Sequence, residues 1–204
     1  MSDRPVIRLF RFRPARVEFD RTLRTIMVPD LRRMEGLIDV HVGRHGSEQL
    51  GDRVVATIWT DRAAMNAGMG PSLAESTFHP DRLSETTDRQ FEAHELDLML
   101  RFPGGPPSTL LRLFRGQVKP GELVAYIEEA RAGTLADVEA ERGPAALYLA
   151  ADPPDRFLTV SLWPDWAAIE RATGGDVRRP MATKDSARIV DMDIVHYEVV
   201  TDAT

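Results

Sequence analysis

One segment of this chain recurs at a fixed spacing. Arg8-Leu9-Phe10-Arg11 reappears as Arg112-Leu113-Phe114-Arg115, and Trp59-Thr60-Asp61-Arg62-Ala63-Ala64 reappears as Trp163-Pro164-Asp165-Trp166-Ala167-Ala168. Both offsets are 104 (112 − 8 and 163 − 59). Two anchors held at an equal distance imply two copies of one structural unit within 204 residues. The one strong linker signal, the Pro- and Gly-rich run from Phe102 to Ser108, falls between the copies, where neither helix nor ladder can continue. The expected organisation is a first repeat over 1–102, a linker over 103–107 and a second repeat over 108–204.

Each copy reads as β-α-β-β-α-β. In copy one, Val6 to Arg13 carries the apolar content of a strand. Phe19, Leu23, Ile26, Leu31 and Met34 follow at helical spacing, and Leu123, Ile127, Ala130, Leu135 and Val138 stand at offset 104. Pro29 and its counterpart Gly133 predict that each first helix is bent or divided there. Gly36 and Gly143 read as helix stops. Strands two and three are expected at Leu37–Gly43 and Arg53–Trp59, and in copy two at Ala145–Ala150 and Phe157–Trp163. Asp61 and Asp165 are placed as N-caps of the second helices. Fourth strands run from about Phe91 to Leu100 and from Ile189 to Val200. The fold class is α+β: two tandem ferredoxin-like repeats forming an intramolecular dimeric α/β barrel.

Strand parity assigns faces. Ile38, Val40 and Val42, matching Ala145, Leu147 and Leu149, form the expected helix-side core. His41, matching Tyr148, lies on the alternate face. Ile58 is expected to face the helices, which would send Thr57 and Trp59, and their counterparts Ser161 and Trp163, to the alternate face as well. That surface has the mixed character of a small-molecule cavity. Equally, its polar groups could satisfy one another inside an interface.

Composition removes several function classes. A formal net charge of −6 argues against a general nucleic-acid binder. The absence of cysteine excludes disulfides, thiolate metal sites and a cysteine nucleophile. His41 and His45 have no clear third ligand, so no metal site is expected. The sequence carries no phosphate-cradling glycine loop, nucleophile elbow or dinucleotide fingerprint, so no cofactor is called for. No apolar run of signal-peptide or membrane length opens the chain, and a cytoplasmic location away from membranes is expected.

Val28-Pro29-Asp30-Leu31, the stretch Gly36 to Gly43, and Val54 to Trp59 followed by Asp61 and Ala63-Ala64 resemble the antibiotic biosynthesis monooxygenase family of the dimeric α/β-barrel superfamily. The likeness spans most of copy one and the strand-three to helix-two junction of copy two. It implies a cofactor-independent monooxygenase acting on a phenolic, anthrone-like or hydroquinone molecule. The same resemblance also admits a non-enzymatic barrel, binding a small hydrophobic ligand or serving a stress response, and a haem-binding branch. In that branch a strand-three Trp works with a helix-two His and a strand-one Asn. Trp59 and His79 fit the first two places; strand one has Phe10 to Arg13 and no Asn.

The candidate catalytic residues are therefore Trp59, whose indole could stack on a flat ligand, and His79, whose imidazole could take a phenolic proton near neutral pH. His41, Thr57, Asn66, Tyr148 and Trp163 are the candidate substrate contacts. His94 and His196 are approximate counterparts at offset 102 (196 − 94). Because copy one alone has His41, Asn66 and the segment ending in His79, the site is expected to favour copy one. Any arginine of Arg8, Arg11, Arg112 and Arg115 that points inward needs a carboxylate, such as Asp39 or Glu95, or an anionic ligand. The expected partner is a small aromatic or hydrophobic molecule, and the pseudo-dimeric chain could itself pair as a homodimer.

Overall fold

The computed structural model describes residues 4–14, 17–46, 51–70, 92–102, 104, 107–139, 143–181 and 186–200. The chain divides into two compact units, Met1–Asp97 with Tyr197–Thr204, and Leu98–His196. The first sheet is built from β1 (Val6–Phe12), β2 (Leu37–Arg44), β3 (Arg53–Trp59) and β4 (Glu92–Phe102), in the order β4-β1-β3-β2. The second is built from β5 (Leu110–Val118), β6 (Ala146–Asp152), β7 (Arg156–Trp163) and β8 (Ile189–Val199), in the order β8-β5-β7-β6. Helices fall between the first and second and between the third and fourth strand of each set, as a split β-α-β requires.

The helix-side core of the first unit contains Val6, Phe10 and Phe12 of β1, Val40 and Val42 of β2, and Val55 and Trp59 of β3. Val40 and Val42 lie where strand parity put them. The third strand is the reverse of the expectation: Trp59 and Thr57 face the helices, and Ile58 faces away. Register fixes this, since Val42 pairs with Val55 and Val40 with Thr57. Every residue of β3 is buried, so the strand shows no inside-outside alternation from which parity can be read. In the second unit Leu147 opposes Ser161 across β6 and β7, so Ser161 and Trp163 share that sheet's helix face while Tyr148 does not.

The first helix departs from simple periodicity. It runs as α1 (Phe19–Thr22), a π-helical turn (Leu23–Met27) and α2 (Val28–Leu31). The wider turn adds a residue before Pro29, which lacks an N–H for the α-helical ladder. It also shifts the buried face. Met27 and Val28 pack inward, and Ile26, expected in the stripe, is exposed. Its counterpart α4 (Leu123–Glu139) is continuous, so Gly133 does not divide it. A glycine inside a helix weakens it by about 1 kcal/mol but keeps its N–H, whereas proline does not. Leu135 is likewise exposed, and the inner face of α4 is made by Leu123, Tyr126, Ile127 and Ala130.

The second helices, α3 (Arg62–Met69) and α5 (Trp166–Thr173), begin at the expected caps. Asp61 accepts from the Ala64 N–H at 2.8 Å and Asp165 from that of Ala168 at 2.7 Å. Among the described residues no helix is long and apolar enough to cross a membrane.

Candidate functional site

The second unit contains a cleft of about 50 Å³ between its sheet and α4. The sheet supplies Arg112 and Phe114 from β5, Leu147 and Leu149 from β6, and Thr159 and Ser161 from β7. These are one face of the ladder, since Phe114 opposes Thr159 and Arg112 opposes Ser161. From α4 come Tyr126, Ala130, Gly133, Thr134 and Asp137, one helical stripe, and Met181 closes one side. The void has a plain origin. On the helix side of the cleft α4 presents Ala130, Gly133 and Thr134, whose side chains are small, where α1, the π turn and α2 of the first unit bury Leu23, Met27 and Leu31.

Arg112 sets the electrostatics. The residue is 2% exposed, and its Nη2 donates to the carbonyl oxygens of Val177, at 3.5 Å, and Arg179. The guanidinium carbon stands 5.8 Å from the Phe114 ring centroid. Its Nε is buried without an acceptor, and among the described residues no carboxylate pairs with it. Burial pushes its pKa down to about 10, with a small opposing pull from Tyr126, so the group stays charged at neutral pH. The Tyr126 hydroxyl is pushed upward from its ordinary range, chiefly by burial, and remains a neutral donor. Asp137 is the carboxylate among the lining residues.

Arg8, at offset 104 from Arg112, is handled differently. It is fully buried and ion-paired with Glu95, which also accepts from Arg62 at 3.0 Å. Glu95 thus neutralises an inward arginine as anticipated, and the structure assigns its counterpart. Arg11–Glu92 in the first unit corresponds to Arg115–Asp193 in the second, which puts the fourth strands at offset 101 (193 − 92). By that register Glu95 corresponds to His196, and Arg62 to Trp166. The rings of Trp166 and His196 are indeed in contact, 4.9 Å between centroids. The earlier alignment of His94 with His196 is off by one residue, because the fourth strand does not keep the offset of the first three.

The candidates from sequence do not converge. Trp59 is fully buried in the first-unit core, its ring tip packed where a Cβ on Gly68 would fall 2.8 Å away. Thr57 donates to the Arg8 carbonyl at 3.2 Å. Asn66 sits on α3 with its side-chain oxygen buried. His41 faces away from the helices, its Nε2 3.6 Å from Asp39 Oδ1. Tyr148 is fully buried on the corresponding face of the second sheet, and Trp163 packs against Ala168 and Ile169 with its Nε1 bonded to Ser161. None of them lines the cleft, and His79 lies outside the described residues. The haem option rested on Trp59 with His79; Trp59 is fully buried in the first-unit core, and His79 is not among the described residues. The cleft is also in the second unit, where the sequence favoured the first. The signal that could have found it is the stripe Tyr126, Ala130, Gly133/Thr134, Asp137, small and polar residues at the spacing where the first unit has large apolar ones.

No family model matches this chain, and no curated protein matches it in sequence. Solved structures do match. A protein from Lactobacillus acidophilus NCFM, provisionally named a monooxygenase, aligns with a TM-score of 0.77 at 13% identity, covering 97% of this chain and 95% of its own. An anthrone oxidase-like protein aligns with a TM-score of 0.63 at 12% identity, covering 97% and 92%. A ferredoxin-fold protein from Listeria monocytogenes 4b F2365, described as related to antibiotic biosynthesis monooxygenases, aligns at 0.52 and 11% identity, covering 96% of each chain. Likeness at such low identity carries the fold and not the chemistry. The chain has an α+β fold with two ferredoxin-like halves in one polypeptide, similar to that of these proteins.

Proposed function

We propose that this chain is a cofactor-independent monooxygenase acting on a phenolic, anthrone-like or hydroquinone molecule in the second-unit cleft. One observation carries the reading: a buried, charged Arg112 with no carboxylate partner among the described residues stands at the wall of a largely apolar cleft. Such a cation lowers the pKa of a bound hydroxyl and stabilises the resulting oxyanion. Solved structures of this fold named as monooxygenase and anthrone oxidase-like proteins support the same direction.

In this scheme Asp137 takes the hydroxyl proton and Arg112 holds the anion, while Tyr126 donates a hydrogen bond without ionising. The electron-rich anion reduces dioxygen, and a carbon–oxygen bond forms. Cleavage of the oxygen–oxygen bond then leaves one oxygen on carbon and releases the other as water. For an anthrone, one CH2 and one O2 become one C=O and one H2O, so the substrate supplies all the electrons.

The test is oxygen uptake by the purified, metal-free protein over a panel of anthrones and hydroquinones. One O2 consumed per molecule oxidised is expected, with Arg112→Met slowing turnover by roughly 100-fold or more, as for loss of an oxyanion donor. No uptake above the buffer rate across the panel overturns the reading. A second reading, ligand binding without turnover, is favoured by the cleft volume of about 50 Å³, which is small for a fused tricycle.

A further inference from the structure

The acid that neutralises Arg8 has been exchanged for another residue type at the matching place beside Arg112. In the first unit Glu95 lies directly across the ladder from Arg8 and bridges it to Arg62 at the start of α3. In the second unit the equivalent positions are His196 and Trp166, in ring contact with each other. The guanidinium itself has been kept. An arginine buried to this degree with two carbonyl acceptors and an orphaned Nε has, among the described residues, no negative charge of the kind its environment requires. In place of a side-chain carboxylate, a cleft opens beside it, walled by Phe114, Tyr126, Leu147 and Leu149.

We propose that the occupant of this cleft is a small planar monoanion, a single-ring aromatic carboxylate or phenolate, whose oxyanion takes beside Arg112 the role that Glu95 takes beside Arg8. Two features define the class. The guanidinium presents a flat fork suited to a delocalised oxyanion, and the aromatic and aliphatic walls suit one ring. The small volume disfavours a polycycle. This inference deepens the proposed function, resting on the same cleft being a ligand site, and it restricts the substrate to molecules that arrive with a negative charge or acquire one on binding.

The test uses benzoate and its neutral isostere benzamide on the intact chain, read by calorimetric titration and by thermal melting. Benzoate is expected to bind and raise the melting temperature, with benzamide weaker by roughly 10- to 100-fold, the value of a charge-assisted hydrogen bond. His196→Glu reinstates the first unit's arrangement. It should melt above the wild type without ligand and lose benzoate affinity by at least about tenfold, because the carboxylate now satisfies Arg112. Equal binding of benzoate and benzamide, no response to millimolar benzoate, or full benzoate affinity in His196→Glu overturns the proposal. Arg112→Met should bind both probes equally; should it fail to fold, His196→Glu still decides. Oxygen uptake separates the two readings. Charge-selective binding without uptake leaves the anion site standing and removes the oxygenase, whereas oxygen uptake by a protein that does not discriminate benzoate from benzamide removes the anion site and leaves the oxygenase.

Discussion

The indole of Trp163 donates its Nε1 proton to Ser161 Oγ at 2.9 Å, two residues back on the same face of β7. Trp59, at the matching place on β3, has its Nε1 buried with no acceptor among the described residues. Equivalent tryptophans therefore carry different hydrogen-bond states, and both are structural anchors of their own units.

Ser161→Ala strands the Trp163 N–H in a dry core and should destabilise the protein by about 1–3 kcal/mol. Trp163→Phe loses both packing and the bond, so it should cost more than Trp59→Phe, which removes an already unpaired donor. Urea unfolding of the three variants orders them. Trp59→Phe should leave oxygen uptake per folded molecule unchanged, since the indole is not among the residues that line the cleft.

Gly68→Ala places a methyl 2.8 Å from the Trp59 ring tip. Alanine gains about 1 kcal/mol in helix propensity, but overpacking against a fully buried indole should outweigh it, for a net loss on the order of 1–2 kcal/mol. A lower melting temperature with altered tryptophan emission is the expected result.

Removing a charge should have opposite consequences in the two units. Glu95→Gln leaves the buried Arg8 with Arg62 nearby and no full counter-charge, at a cost of roughly 2–4 kcal/mol. Arg112→Met removes a buried cation that has no carboxylate partner among the described residues, and its stability should be unchanged or higher. Denaturant midpoints measured at neutral pH and moderate salt compare them directly.

Anion binding should be flat with pH through the neutral range and fall as pH rises through about 10. The sign follows from Arg112, whose folded pKa is lowered by burial from its ordinary value to about 10. Between those values the unfolded chain holds the proton more tightly, so the ligand-free fold carries the penalty of the buried charge below about 10 and sheds it above. Bound benzoate favours the charged form, so its affinity is lost where the guanidinium deprotonates. Calorimetric titration with benzoate at a series of pH values checks this.

The sequence by itself determined the architecture. The 104-residue offset, the Asp61 and Asp165 caps and the apolar strand runs are local or repetitive signals, because backbone period and cap chemistry are set by residues adjacent in the chain. That any inward arginine would need a carboxylate such as Glu95 or an anionic ligand was also legible, whereas which arginine points inward was not.

Tertiary structure decided three things. It chose the face of β3, because a strand buried on both sides carries no alternation, and this sent Trp59 into the helix-side core. It inserted a π turn that exchanged Ile26 for Met27 and Val28, because Pro29 denies the regular ladder a donor. It also placed the cleft, which is a difference in volume between facing elements: Ala130, Gly133 and Thr134 become a void only when a sheet stands opposite, and Arg112 becomes an unmatched charge only when register brings His196 to the position that Glu95 fills beside Arg8.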